Sequence, residues 1–210
     1  MESATPNATV ITDVETLRAH YAQPLERAML KSLRKLDRHM RDFIALSPIL
    51  CMGTSSGESA DVAPRGDRPG FVHFLDDTTL LIPDWPGNNR LDSLTNILSN
   101  PHVGLLFLIP GVDETLRVNG LAEITIDREL LRRWSVNGKH PKSALKVAVQ
   151  EAFLHCAKAL IRSRLWSNDY KIDRSQLPPY GQMLKDQIAT KDTAEEIQAA
   201  VLLGYKERLY

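Results

Sequence analysis

The spacing of apolar and polar positions divides the chain into a helical start, a middle of short strands and a helical end. Residues 1–11 are polar and are expected to fray. Thr12-Asp13-Val14-Glu15 has capping-box spacing, with side chains able to satisfy free N–H groups reciprocally, and predicts a short helix to about Ala22. After Pro24, Leu25, Met29, Leu33, Leu36, Met40, Phe43 and Ile44 recur at steps of three and four, the period of one helix face. Pro48 stops that run. From Ile49 the texture changes to β-like runs with turn punctuation: Ile49–Ser55, then Glu58–Pro64 entered through Ser-Ser-Gly. Gly70–Leu75 and Thr78–Pro83 follow, joined at Asp76-Asp77 as a tight hairpin. A helix over Arg90–Ser99, with Leu91, Leu94, Ile97 and Leu98 as its apolar face, interrupts the strands. Val103–Ile109, a Pro-Gly-Val-Asp turn and Leu116–Ile126 resume them. The unbroken apolar run from Val103 to Ile109 reads as a strand covered on both faces.

Asp127–Val136 reads as a helix, and the mixed period of Ser143–Leu154 leaves strand and helix both open. His155–Trp166 has Ala157, Leu160, Ile161 and Leu165 on one helical side. Residues 167–182, with Pro178-Pro179, read as loop. Tyr180–Tyr210 reads as one or two helices, the second capped by Thr193-Ala194-Glu195-Glu196 and stopped at Gly204. Short strands at close spacing, with helices between and after them, define an α+β, mainly β architecture: a small barrel plus helices. No repeat, low-complexity tract or composition shift marks a second domain.

Composition narrows the function classes. Twenty-six basic residues balance twenty-six acidic ones, so no global field draws in nucleic acid or a membrane surface. The longest apolar runs, around Leu105–Ile109 and Ala199–Leu203, are too short to span a bilayer. Met1–Val10 has neither the basic start nor the apolar stretch of a secretory signal, so a cytoplasmic location is expected. Cys51 and Cys156 make no disulfide framework and read as buried small side chains rather than reactive thiols.

Four segments carry candidate chemistry. In Ala63-Pro64-Arg65-Gly66-Asp67-Arg68-Pro69-Gly70-Phe71, proline and glycine fix an unusual backbone path while the arginines supply charge; an ordinary surface turn is the alternative. In Ile82-Pro83-Asp84-Trp85-Pro86-Gly87-Asn88-Asn89-Arg90, a loop ends at a helix N-terminus, whose free N–H groups and positive dipole end suit a phosphate. Gly87 permits close backbone approach, Asn88 and Asn89 donate through their amides, and Arg90 grips two oxygens. A helix cap needs one Asn, so the Asn-Asn-Arg run is read as an anion site. Arg117 and Asn119 share one strand face, either functional or simply solvated. Lys158 and Arg162 lie at i and i+4, one turn after His155, as an anion-contacting surface or a basic outer face. The same two readings hold for the row Arg27, Lys31, Arg34, Lys35, Arg38 and Arg41. Gly-x-Gly-x-x-Gly, P-loop, Gly-x-Ser-x-Gly and His-Glu-x-x-His motifs are absent, and the six histidines are scattered without metal-ligand spacing.

Together, Pro-Arg-Gly-Asp-x-Pro-Gly-Phe-Val, Ile-Pro-Asp-x-Pro-Gly-Asn-Asn-Arg, Leu-Arg-Val-Asn-Gly and His-Cys-x-Lys-Ala-Leu-Ile-Arg-Ser-x-Leu-Trp resemble a bacterial branch of the pyridoxamine-phosphate-oxidase-like, FMN-binding split-barrel proteins, over about residues 45–185. The resemblance implies a split β-barrel with flanking helices at both termini. Residues 1–47 would be a helical segment, 48–170 the FMN-binding barrel and 171–210 a helical extension on it. It further implies a homodimer with FMN at the interface. Carried over, Arg65, Gly66 and Asp67 would lie along the flavin, Pro83 and Asp84 at the isoalloxazine edge, and Asn88, Asn89 and Arg90 on the phosphate. Lys158 and Arg117 would complete the site, Lys158 from the partner. The implied activity is an FMN-dependent oxidoreductase acting on a small molecule; the alternative is a flavin-binding protein for storage, sensing or redox buffering. True pyridoxamine-phosphate oxidases end in Trp-x-x-x-Arg-Leu-x-Pro, whereas this sequence reads Lys206-Glu207-Arg208-Leu209-Tyr210, so the resemblance does not extend to vitamin B6 oxidation.

Overall fold

The computed structural model describes residues 10–207, 209 and 210. Two compact units result, Met1–Ser32 and Leu33–Tyr210. The first, described from Val10, holds α1 (Val14–Ala19) and α2 (Glu26–Leu30), neither of which buries a side chain. Most of the stretch expected to fray lies outside the described residues; Val10 and Ile11 are exposed. The cap of α1 is Asp13, not Thr12: its carboxylate accepts from Thr16 N and from the Thr16 hydroxyl, each at 2.8 Å. The helix stops at Ala19, short of Ala22.

Residues 25–44 do not form the single helix that their spacing predicts. α2 ends at Leu30 and α3 (Arg38–Leu46) begins afresh. Between them Leu33 exchanges backbone hydrogen bonds with Ala152, at 2.9 and 2.7 Å, and Leu36 N donates to Asp77 O at 2.7 Å. Backbone groups committed to such pairing cannot serve a helix, and Asp37 then caps α3 by accepting from Met40 N. The basic row is therefore broken. Arg41 pairs with Asp77 and stacks 4.4 Å from the Phe74 ring centroid, while Arg38 pairs with Asp42.

Seven strands follow in one antiparallel sheet, ordered β2-β1-β5-β6-β7-β4-β3. They are β1 (Ile49–Ser55), β2 (Ala60–Gly66), β3 (His73–Phe74), β4 (Thr79–Asp84), β5 (His102–Leu108), β6 (Thr115–Thr125) and β7 (Ser143–His155). The ambiguous segment at 143–154 is thus the longest strand, with Leu145, Val147 and Val149 inward and Lys146, Ala148 and Gln150 outward. β6 and β7 slip register between Asn119 and Gly120, leaving Gln150 as the extra residue of a bulge. Here a Cβ on Gly120 would lie 2.3 Å from Ala148 O, so only glycine fits. β5 is not covered on both faces as its apolar run suggests. Val103, Leu105 and Phe107 enter the core, while Gly104, Leu106 and Leu108 remain half-exposed.

Other boundaries move for local reasons. β3 keeps only two residues of Gly70–Leu75, because the Arg68–Phe71 turn, closed by Phe71 N donating to Arg68 O at 3.2 Å, uses the preceding ones. α4 is Asp92–Ser99, and α5 is one turn, Arg128–Leu131, before a reversal at Asn137-Gly138 closed by the Val136–Lys139 bridge. α6 (Lys158–Ser163) starts late because β7 continues through His155. Residues 167–179 hold two short 3-10 turns, and α7 (Tyr180–Gln187) and α8 (Ala194–Glu207) follow. The Thr193 box is formed: Thr193 N donates to Glu196 Oε2 at 2.8 Å, and Glu196 N to Thr193 Oγ1 at 3.1 Å. Gly204 does not end α8, which continues to Glu207. Cys156 is exposed and Cys51 half-buried, so neither is the buried side chain expected.

The core joins Leu36, Met40 and Ile44 to inward residues of the sheet, among them Leu50, Met52, Leu80, Ile82, Phe107, Leu116, Val118 and Val147. The protein is mainly β with flanking helices, a split-barrel architecture. Among the described residues no helix is long and apolar enough to cross a membrane.

Candidate functional site

β2 is one edge of the sheet and β4 lies next to the other edge strand, yet both line one cleft of about 510 Å³. Curling of the sheet therefore brings them together. From β2, Asp61, Ala63 and Arg65 sit on the less exposed face and line the cleft, and Pro64 and Gly66 join them at the end of the strand. From β4 come Pro83 and Asp84, and from the following loop Trp85, Gly87, Asn88, Asn89 and Arg90. Phe71, Leu94, Lys142, Leu209 and Tyr210 complete the walls.

The start of α4 is shaped for an acceptor. Asn89 and Leu91 adopt left-handed backbone, φ 59° and 61°, which for leucine costs about 1–2 kcal/mol. Among the described residues no side chain caps the helix, so its first-turn N–H groups have no side-chain acceptor there. Asn88 does not serve as that cap, because its Oδ1 accepts from Arg90 N at 3.0 Å within the loop. Two hydrogen bonds anchor the helix over the cleft: Ser93 Oγ to Asp61 Oδ2 at 3.0 Å, and Asn96 Nδ2 to Thr54 Oγ1 at 3.1 Å.

Charge is distributed in two groups. Arg90 donates from Nε to Asp92 Oδ2 at 2.7 Å; that bond, with the charges of Asp92 and Asp61, raises the guanidinium pKa further. Elsewhere in the cleft, burial pushes the Asp84 carboxyl above the usual carboxylate range, while the charges of Arg65 and Lys142 pull it down. Burial is the larger effect. Trp85 buries its indole N–H without an acceptor among the described residues, and its ring meets Tyr210 edge-on at 5.0 Å. The Tyr210 hydroxyl in turn donates to Asp67 Oδ1 at 2.8 Å.

Of the residues singled out in the sequence, Arg65, Gly66, Pro83, Asp84, Asn88, Asn89 and Arg90 line this cleft. Asp67 borders it through Tyr210. Arg117 and Lys158 do not line it: both are exposed, with the Arg117 guanidinium 5.6 Å from the Phe153 ring centroid. Asn119 is tied to Glu151 by a 2.7 Å hydrogen bond. Sequence reasoning missed Asp61, Lys142, Leu209 and Tyr210. Period-two spacing from Arg65 could have found Asp61, whereas Lys142 and Tyr210 reach the cleft through tertiary folding that no local pattern records.

A curled antiparallel sheet with helices around it, and a polar cleft lined from both sides of the sheet, define a split-barrel protein. The sequence profile of the family described as pyridoxamine 5'-phosphate oxidase matches residues 36–156, more than half of the chain, and the protein belongs to that family. Among solved structures, HupZ of Group A Streptococcus is 17% identical, with a TM-score of 0.47 over 57% of this chain and 93% of that one. A putative pyridoxamine 5'-phosphate oxidase of Listeria innocua is 17% identical, with a TM-score of 0.44 over 55% and 94% of the two chains. A FAD-binding protein of Mesorhizobium loti is 13% identical, with a TM-score of 0.40 over 59% and 98%. No curated protein sequence matches the chain.

Proposed function

We propose that the cleft binds FMN and that the protein is a flavoprotein oxidoreductase, passing hydride or electrons to or from a small molecule. One observation carries this reading: the uncapped start of α4, with Asn88, Asn89 and Arg90, opens into the same cleft as Arg65, Gly66, Pro83 and Asp84. The cleft volume lies within the range of about 300–1,000 Å³ typical of cofactor pockets. The donors lie within one short stretch of chain at the start of α4, which suits a single terminal phosphate. Free first-turn N–H groups and the Asn88 and Asn89 amides donate to it, and Arg90 turns from Asp92 to grip it. Arg65, Gly66, Asp67, Pro83 and Asp84 border the ring portion, and the unpartnered Trp85 N–H is a further donor in the wall.

A bound flavin supplies the redox chemistry, and the chain supplies position and charge. Among the described residues no histidine or cysteine lines the cleft. Arg117 and Lys158 are exposed outside their own cleft, so in this reading they act across a homodimer interface, on the second subunit's cofactor. Two unpaired thiols and a balanced charge fit a cytoplasmic setting.

Titration of the purified protein with FMN, followed by quenching of flavin fluorescence, tests the reading. Saturable one-to-one binding, with bleaching by NADH or NADPH, is the expected result. Protein that neither carries nor takes up FMN contradicts it.

A further inference from the structure

Tyr210 touches both walls of the cleft. Its hydroxyl donates to Asp67 Oδ1 at 2.8 Å, and Asp67 directly follows Gly66, the last residue of β2. Its ring meets Trp85 edge-on at 5.0 Å, and Trp85 directly follows Asp84, the last residue of β4. Tyr210 thus joins the ends of the two strands that line the cleft. The acceptor is held ready for this bond, because Asp67 Oδ1 also accepts from Arg68 N at 2.7 Å. Behind Tyr210 the attachment is light. Lys139 Nζ donates to Tyr210 O at 2.9 Å, Leu209 is 64% exposed, and α8 buries no side chain. A segment with so few buried apolar contacts opens at low free-energy cost. The cleft keeps its 510 Å³ with Tyr210 in position, so this residue is a wall of the site and not a plug in it. The closed arrangement also leaves the Trp85 N–H buried without an acceptor among the described residues, a cost that an acceptor atom of a ligand would remove.

We propose that Leu209 and Tyr210 form a clasp: Tyr210 lets go of Asp67 and Trp85 to pass a ligand in or out, and locks the two walls together once the ligand is seated. This rests on the cleft being the FMN site. A hydrogen bond from a phenol to a carboxylate is stronger than one between neutral groups, and the aromatic contact with Trp85 adds to it. The clasp closes over the empty and the filled cleft alike, so it sets how fast the ligand exchanges and leaves its affinity nearly untouched. Weakening it by a given factor raises the rates of entry and exit by that same factor. Tyr210 therefore differs in role from Arg90 and the start of α4, which set affinity through the phosphate.

Stopped-flow fluorescence gives the FMN association and dissociation rates of wild type and of Tyr210→Phe, which keeps the ring and loses the hydroxyl. Both rates rise, each by about tenfold, while the dissociation constant stays within about twofold. Unchanged rates overturn the proposal. So does faster dissociation alone, which makes Tyr210 a ligand contact, and so does faster association alone, which makes it an occupant that FMN displaces. A readout without FMN separates the clasp from the flavin reading. With fluorotryptophan incorporated, the fluorine NMR resonance of Trp85, assigned with Trp85→Phe, shifts in cofactor-free Tyr210→Phe, while those of Trp134 and Trp166 stay in place. Protein that takes no FMN but shows this shift defeats the flavin reading and leaves the clasp standing. An unshifted Trp85 resonance overturns the clasp, whatever FMN does.

Discussion

Arg90 Nε lies 2.7 Å from Asp92 Oδ2, an ion pair made across two residues at the start of α4 and open to solvent. The pair keeps the guanidinium at the mouth of the cleft without burying it. It also places a carboxylate where a phosphate would bring its own charge. Arg90 must exchange one partner for the other.

That exchange predicts the effect of Asp92→Asn. Removing the carboxylate frees Arg90 and removes a repulsion, so FMN affinity rises by about threefold to tenfold, read by fluorescence titration. The same change removes an acidic side chain from a helix first turn and costs about 0.3–1 kcal/mol of stability. Weaker FMN binding in Asp92→Asn would show that Asp92 orients Arg90 rather than competing with the phosphate.

Asp84 predicts a pH dependence. Burial raises its folded-state pKa above the ordinary carboxylate value of 3.8. The stabilising contribution of the protonated carboxyl is present below that value and is lost as pH rises through the folded pKa. At neutral pH the ionised group opposes folding, so cofactor-free Asp84→Asn melts above wild type at pH 7. The difference closes as pH falls below 3.8. A difference that widens towards low pH would contradict this assignment.

Gly120 carries a packing prediction. A methyl group there would meet Ala148 O and Val147 Cγ1 at the β6–β7 bulge, at 2.3 and 3.0 Å, in the middle of the most extensively paired strands. Gly120→Ala costs about 1–3 kcal/mol, a fall in melting temperature of about 3–10 °C. Gly87→Ala is the control. Nothing lies within 4 Å of its added Cβ, and stability changes by less than about 0.5 kcal/mol.

The strands and the loop of the candidate site were legible in the sequence because their signals are local. Short β-like runs bounded by turn residues marked β1 and β2, and Pro-Gly-Asn-Asn-Arg marked the entry to α4. The helix expected from Leu25 to Ile44 failed because Leu33 pairs with Ala152, 119 positions away, and no helical period reports that partner. β5 misled for a related reason: its residues are all apolar, but only alternate ones reach the core. In the cleft, Arg65 and Asp84 stood out within dense motifs. Lys142 sits in a plain loop and gains meaning only from the β4–β7 register that sets Ser143 opposite Asp84.

The central claim is that Arg90 and the uncapped start of α4 hold the phosphate of FMN. Comparing the FMN dissociation constants of wild type and Arg90→Ala, with riboflavin as the phosphate-free control, tests it most directly. Loss of a charge-assisted grip worth about 1.5–3 kcal/mol predicts weakening of FMN by about tenfold to 150-fold, with riboflavin binding unchanged. Equal FMN affinity in wild type and Arg90→Ala would contradict the account.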